Sequence, residues 1–464
     1  MAMTKRNTRQ YINELVNIEE MIPKNHFLRV IEKYFDWNFI YEEVEKLYSK
    51  VGRKSIDPVV LVKIHILKFL FHEDSLRKTY ENLQYNILYR WFIGYELNEK
   101  VPDHSTYSQN YKRKYCKLEK DLLETVFDKV IDLLVKFDCL DLTAVYIDST
   151  NTKAYANKKK NHKELVKIEA KKYQRDLDLE IALKQLQEED LSEEEYLEEV
   201  REIIKCNEEV ESEEVIGEKE IIVSNTDEDA GMLYKSDKEK MFAYNTSVIC
   251  ENNNYILTVD TNPSNMHDSV AFYPIFEKFI KRYGTEKTEY FVGDAGYITS
   301  HICKTIIEAE MIPTFPYTRK GYRKGYMKKH EYVYDEYNDI YICHNMKDLI
   351  PTSISKDGYI SYKADKKDCC TCPLKEKCTK GKYKQILRHV WEEYKEMAND
   401  YRYLEDVKEI YKQRPSHIEI VFADGKMKYG LTKTYFRRKE RVHRELTLLY
   451  ACMNLKKFAS HHYV

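Results

Sequence analysis

Apolar residues recur at three- and four-residue spacing through IDPVVLVKIHILKFLF, from Ile56, and again through SLRKTYENLQYNILYRWFIG, from Ser75. That repeat turns one face of an α-helix toward a core, so residues 17–135 read as helical. Asp57 followed by Pro58 offers an N-cap and a first-turn proline, and Asp74 or Ser75 can cap the next helix. VPDHSTYSQNYKRKY, from Val101, adds a turn and a basic helix start carrying Lys112, Arg113 and Lys114.

After Leu140 the period changes. LTAVYID, KMFAYNTSVIC, NYILTVDTNP, TEYFVGD and MIPTFPYT are short β-branched and aromatic runs, the signature of strands. A hairpin through Glu251 to Asn254 joins two of them, and helical stretches (MHDSVAFYPIFEKFIKRYG, SHICKTIIEAE) follow, which together predict a mixed sheet with helices on its faces. Residues 158–222 interrupt this pattern. They begin basic, turn strongly acidic, contain almost no glycine or proline, and read as a helical hairpin or coiled-coil-like arm, whether a solvated link or an arm for dimerisation or positioning.

At 464 residues the chain should divide into two to four units, and its 43% hydrophobic content is that of a globular protein. The net charge of -2 excludes a uniformly basic coat, so any surface for nucleic acid must be local. The polar start MAMTKRNTRQYINE has no apolar leader, which predicts a cytoplasmic protein. Val59 to Phe71 is too short and too interrupted by Lys63, His65 and Lys68 to span a membrane. Eleven cysteines in that compartment would be reduced thiols or metal ligands.

Three acids stand in suggestive settings: Asp148 closing LTAVYID, Asp294 closing TEYFVGD, and Glu419 in YKQRPSHIEIVFADGK. Two strand-end aspartates and a helical glutamate are what a two-metal phosphoryl-transfer site requires, because magnesium is hard and prefers shared carboxylate oxygens. A helix opening at Pro415 would carry Glu419 in its second turn and Lys426 two turns later on the same face. Tyr411 and Arg414, just ahead, add an aromatic platform and a planar phosphate clamp. Glu445, in RVHRE, competes with Glu419 but reads as a surface partner of Arg441. In NPSNMHDS, Asp268 reads as an N-cap and His267 as a packing or phosphate-facing residue, neither of them catalytic.

At these residues the chain resembles the DDE-type insertion-sequence transposases that bear a YREK signature, here Tyr411, Arg414, Glu419 and Lys426. YIDST, VGDAGY and the closing RVHRELTLLYACMNLKK are similar to that family, and GRKSIDPVVLVKIHILKFLF with WFIGYEL and PDHSTYS is similar to its InsH-type N-terminal domain. Four residues separate Arg414 from Glu419, one more than the usual signature has. The resemblance implies an RNase H-like core with Asp148 on its first strand, Asp294 on its fourth and Glu419 on a late helix. It also implies two magnesium (or manganese) ions held by those acids, hydrolysis at the element end, and attack on target DNA by the freed 3' hydroxyl.

Cys369 and Cys372 form a CxxC, Cys378 follows, and Cys343 lies upstream, with Cys370 an alternative ligand; four such thiols suit a structural zinc, and unmetallated thiols fit the same spacing. Two strings interleave cations with aromatic residues as phosphate and base contacts require: one holds Arg319, Lys320 and Arg323, the other Arg437 and Arg438.

The expected fold is therefore α/β. It comprises a helical N-terminal domain (1–135) for DNA ends or dimerisation, a mixed-sheet core (136–157 and 223–318), a charged helical insertion (158–222), a basic cysteine-bearing insertion (319–400) and C-terminal core helices (401–464). The expected partners are element terminal inverted repeats, target DNA and a second copy of the chain, with no membrane and a nucleoid-associated cytoplasmic location. A transposase-derived DNA-binding protein and a nuclease that cuts without joining remain the alternatives.

Overall fold

The computed structural model describes residues 17–49, 51–52, 54–169, 173–187, 193–209, 215–236, 239–317 and 325–462. Arg319, Lys320 and Arg323 lie outside the described residues. The chain divides into two compact units, one of residues 1–140, 421–433 and 440–464, the other of 141–420 and 434–439.

The first unit is helical. Its helix Pro58–Leu70 begins where Asp57 accepts a hydrogen bond from the Val59 N–H at 2.7 Å, with Pro58 in the first turn, and every residue of it except Lys68 is buried. Ser75, and not Asp74, caps the helix Leu76–Asn82. The 23-residue helix Lys439–His461 runs through the same core and buries fifteen residues.

A buried polar cluster joins these two long helices. His65 Nε2 lies 3.0 and 3.1 Å from the Glu445 carboxylate oxygens, and Lys68 Nζ lies 3.5 Å from Oε2. Glu445 was expected on the surface beside Arg441; it is only 3% exposed. A carboxylate so deeply placed must be paired, and the partners come from 377 or more positions earlier in the chain (445 − 68).

The second unit is built on a six-stranded mixed sheet. Its central strand, β1 (Ala144–Lys153), pairs on one side with antiparallel β5 (Lys240–Glu251) and on the other with parallel β7 (Tyr290–Val292), which pairs in parallel with β8 (Ile312–Thr314). The far edge of β5 carries β4 (Gly231–Tyr234) and β6 (Ile256–Pro263), both antiparallel. Phe272, Phe276 and Phe279 of the helix Asp268–Tyr283 contact Phe291 of β7. β1 runs five residues past Asp148, because Ser149, Thr150 and Asn151 pair with Ser247, Thr246 and Asn245.

Within 158–222 the helices Gln174–Gln187 and Glu193–Glu209 are accompanied by a two-stranded antiparallel ribbon, β2 (Asn161–Glu169) with β3 (Val215–Ser224), where helices alone were expected. A five-stranded antiparallel sheet follows, in the order β13-β12-β11-β10-β9. Its strands are β9 (Val333–Asp335), β10 (Ile340–Ile342), β11 (Asp348–Ile354), β12 (Tyr359–Ala364) and β13 (Gln385–His389). A small core of Tyr332, Tyr341, Leu349, Ile360 and Tyr362 supports it. Among the described residues no helix is long and apolar enough to cross a membrane.

Burial opposes ionisation of Glu445, yet the charges of His65 and Lys68 hold its carboxyl at about 2, below the ordinary 4.5. Because its pKa is lower in the folded state, the stabilisation is present above 4.5 and is lost as pH falls toward 2. Glu445→Ala should cost ~3–5 kcal/mol at neutral pH in urea unfolding, since it leaves the buried His65 and the partly buried Lys68 uncompensated. The difference from wild type should shrink between pH 4.5 and 2; a small, pH-independent difference would contradict the assignment.

Candidate active site

Register sets the ends of β1 and β7 near one another. Ala144 pairs with Tyr290 and Tyr146 with Val292. Asp294 follows two residues past that pairing, and its charge is felt at the Asp148 carboxyl. Gly293 keeps the chain close to the sheet as it leaves β7: a Cβ there would lie 2.8 Å from Phe315 Cε1 and 3.3 Å from Ile147 Cγ2. The Asp294 carboxylate then turns back to accept the Gly296 N–H at 2.8 Å.

Glu419 arrives on a continuous helical path, not on a helix that opens at Pro415. The helix Glu405–Arg414 runs directly into a π-helical turn, Pro415–Glu419, and on into Ile420–Lys428. A π-turn holds one residue more than an α-turn. It thus absorbs the additional residue between Arg414 and Glu419 and keeps both side chains on one face. Pro415 has no N–H to give to a regular ladder, which favours an irregular turn at this position. Arg414 keeps helical angles (φ -46°, ψ -44°) although a proline follows.

The π-turn is pinned to the sheet. The His417 ring stacks on Tyr146 of β1 at 4.4 Å between centroids. Asn254, in the β5–β6 hairpin, donates from Nδ2 to the Ser416 carbonyl at 3.1 Å and meets His417 Nδ1 through Oδ1 at 2.6 Å. Tyr290 of β7 donates to Asp406 at 2.7 Å and so ties down the preceding helix. Ile418 is fully buried.

Arg414 joins the acids. One guanidinium nitrogen lies 2.6 Å from Asp148 Oδ2 and another 3.0 Å from Glu419 Oε1, while Nε is buried with no hydrogen-bond partner among the described residues. Burial pushes the Asp148 carboxyl up to about 6; Arg414 and the Ser149 N–H oppose this, and the charges of Asp294 and Asp268 add to it. Burial also raises the Tyr411 hydroxyl, to which Asp294, Glu419 and Asp148 contribute, so Tyr411 shares this locality. Lys426 is exposed and falls in the first unit.

Asp268 is the residue that sequence reasoning set aside. His267, not Asp268, caps the helix Asp268–Tyr283, because Nδ1 accepts the Ser269 N–H at 3.2 Å. Asp268 is left to accept from Asn245 Nδ2 at 3.0 Å, close to Gly296 and to the charge of Asp148. Buried Tyr297 completes the floor: its hydroxyl meets Ser149 Oγ at 3.1 Å, and Ser149 meets Ser247 of β5 at 2.9 Å. The only sequence signal for these residues was their nearness to Asp294 and to the hairpin.

The remaining expected residues lie elsewhere. Arg437 and Arg438 are exposed on the segment 434–439; Arg437 donates to the Tyr155 carbonyl at 3.3 Å, and the Arg438 N–H donates to Asp227 at 2.9 Å. Cys343, Cys369, Cys372 and Cys378 line one small cavity beside the five-stranded sheet. Among the described residues no three His, Cys, Asp or Glu side chains are arranged to hold a metal ion.

A carboxyl whose pKa rises on folding supports the fold below its ordinary 3.8 and loses that support as pH rises through about 6. Asp148→Asn, neutral and isosteric, should therefore gain stability relative to wild type between pH 4 and pH 7, by up to ~3 kcal/mol. Urea unfolding of both proteins across that range checks this; a gap independent of pH would contradict it.

Two family models match the chain: a transposase domain (DUF772) over residues 16–113 and a transposase DDE domain over residues 342–459. No curated protein and no solved structure matches it. The first match covers the capped helices of the first unit, and the second includes Arg414 and Glu419. Transposase-domain models thus match the chain at both ends, which supports a DDE-type insertion-sequence transposase.

Proposed function

We propose that this protein cuts DNA at the ends of a mobile element and joins the freed ends to target DNA, with Asp148, Asp294 and Glu419 as its catalytic acids. The observation that supports the reading is the Arg414 guanidinium, bonded at once to Asp148 and Glu419, with the charge of Asp294 also felt at Asp148. The sheet supports an RNase H-like core: antiparallel β6, β5 and β1 continue into parallel β7 and β8, with one aspartate on β1 and the other just past β7.

The donor chemistry fits a hard divalent cation. Carboxylate oxygens are the ligands magnesium and manganese prefer, and a positive group already stands between two of them. Asp148, Asp294 and Glu419 would hold the ions, two in this reading, which supply Lewis acidity toward a phosphodiester oxygen. Arg414 orients Asp148 and Glu419, and its planar fork suits a phosphate. Tyr411 offers a ring face to a base beside the cut. Lys426, Arg437, Arg438 and the 318–324 string would contact the backbone, the helical domain 1–135 would hold the element end, and two copies of the chain would pair two ends. Such chemistry belongs in the cytoplasm, at the nucleoid.

With labelled element-end DNA and magnesium, the wild type should give both cleaved and joined products. Asp148→Asn, Asp294→Asn and Glu419→Gln should each lower the rate more than ~100-fold, and Arg414→Ala by ~10–100-fold, the range expected of a group that orients ligands. Binding without either product, unchanged by Asp294→Ala, would contradict catalysis; cleavage without joining would reduce the reading to a nuclease.

A further inference from the structure

We propose that Cys343, Cys369, Cys372 and Cys378 form a structural zinc site that clamps the five-stranded sheet, independently of the carboxylate centre. The four thiols come from three separate segments. Cys343 opens the β10–β11 turn, where its N–H donates to the Lys347 carbonyl at 2.9 Å. Cys369 sits in the short helix Lys366–Cys370, Cys372 follows it and accepts the Lys375 N–H through its carbonyl at 3.2 Å, and Cys378 ends the helix Lys375–Cys378. All four line one cavity of ≈ 30 Å³, room for about one water-sized species.

Two further observations point to a metal and not merely to packing. Four thiolates around a divalent ion carry a net charge of -2 (2 − 4), and the same cavity is lined by Lys347, Lys375 and Lys384, only partly offset by Asp368, which pairs with Lys347 at 3.4 Å. The thiols also have outer partners of the kind that orient metal ligands: the Tyr332 hydroxyl meets Cys378 Sγ at 3.0 Å, and the Lys384 N–H lies against the Cys369 sulfur. Exposed Cys370, next in sequence to Cys369, does not line the cavity.

The four cysteines line the cavity without yet being arranged around an ion, and entry of the ion would draw their sulfurs together. Four S–H bonds break, four Zn–S bonds form, and four protons pass to solvent. A site of four sulfurs leaves no open position, so its role is to lock the β10–β11 turn to the 366–378 segment.

The test uses the full-length protein, purified under reducing conditions, stripped of metal and titrated with cobalt(II) and then zinc(II). One equivalent of cobalt per chain should bind with the visible absorption of tetrahedral thiolate coordination, and one equivalent of zinc should displace it. Cys343→Ser and Cys372→Ser should each abolish that spectrum, while Cys370→Ser leaves it intact. In wild type, bound zinc should also protect four thiols from alkylation, a readout that does not depend on variants folding. Absence of the spectrum, its persistence in Cys343→Ser, or a disulfide among the four would overturn the proposal.

Discussion

The second unit is organised around a charge problem, and Arg414 is its answer. Three aspartates, Asp148, Asp294 and Asp268, are close enough for their charges to be felt at one carboxyl, which burial further disfavours as an anion. Carboxylates so placed repel one another and raise each other's pKa unless a positive group stands among them. The guanidinium between Asp148 and Glu419 provides it from a side chain that is 11% exposed. A divalent cation would meet the same need with more charge.

The surrounding architecture serves that placement. β1 is the strand at which the sheet changes from antiparallel to parallel, so the residues along it have neighbours from both halves. The π-turn permits Arg414 and Glu419 to share a face despite the additional residue between them, and Tyr146, Asn254 and Tyr290 hold the helical path to the sheet. Such turns are locally less favourable than α-helix and persist where tertiary contacts compensate. Buried Ile418 and the His417 stack supply those contacts.

Much of this was legible in the sequence, for definite reasons. β-branched runs ending near Asp148 and Asp294 marked β1 and β7, and Asp57 with Pro58 marked a helix start that depends only on local capping. Long-range polar pairing was not legible: nothing near Glu445 reveals His65, and RVHRE looks like a solvated helix end. The β2–β3 ribbon was read as helix because its alternation is blurred by charges on both faces, and β9 to β13 are too short and polar to stand out. The π-turn could not be foreseen from Pro415, since the bias of a residue before proline is overridden by the ion pairs of Arg414. Asp268 was missed because a helix start explains an aspartate without reference to anything else.

The cysteine-bearing sheet and the carboxylate centre both belong to the second unit and depend on different chemistry, sulfur in one and oxygen in the other. The central claim concerns the oxygen site, and manganese(II) binding reports on it directly through the electron paramagnetic resonance of free ion. Zinc-loaded protein at neutral pH should take up manganese, Asp294→Asn should lose most of that uptake, and Arg414→Gln should retain it. Equal uptake by wild type and Asp294→Asn would contradict the claim that these acids form a metal centre.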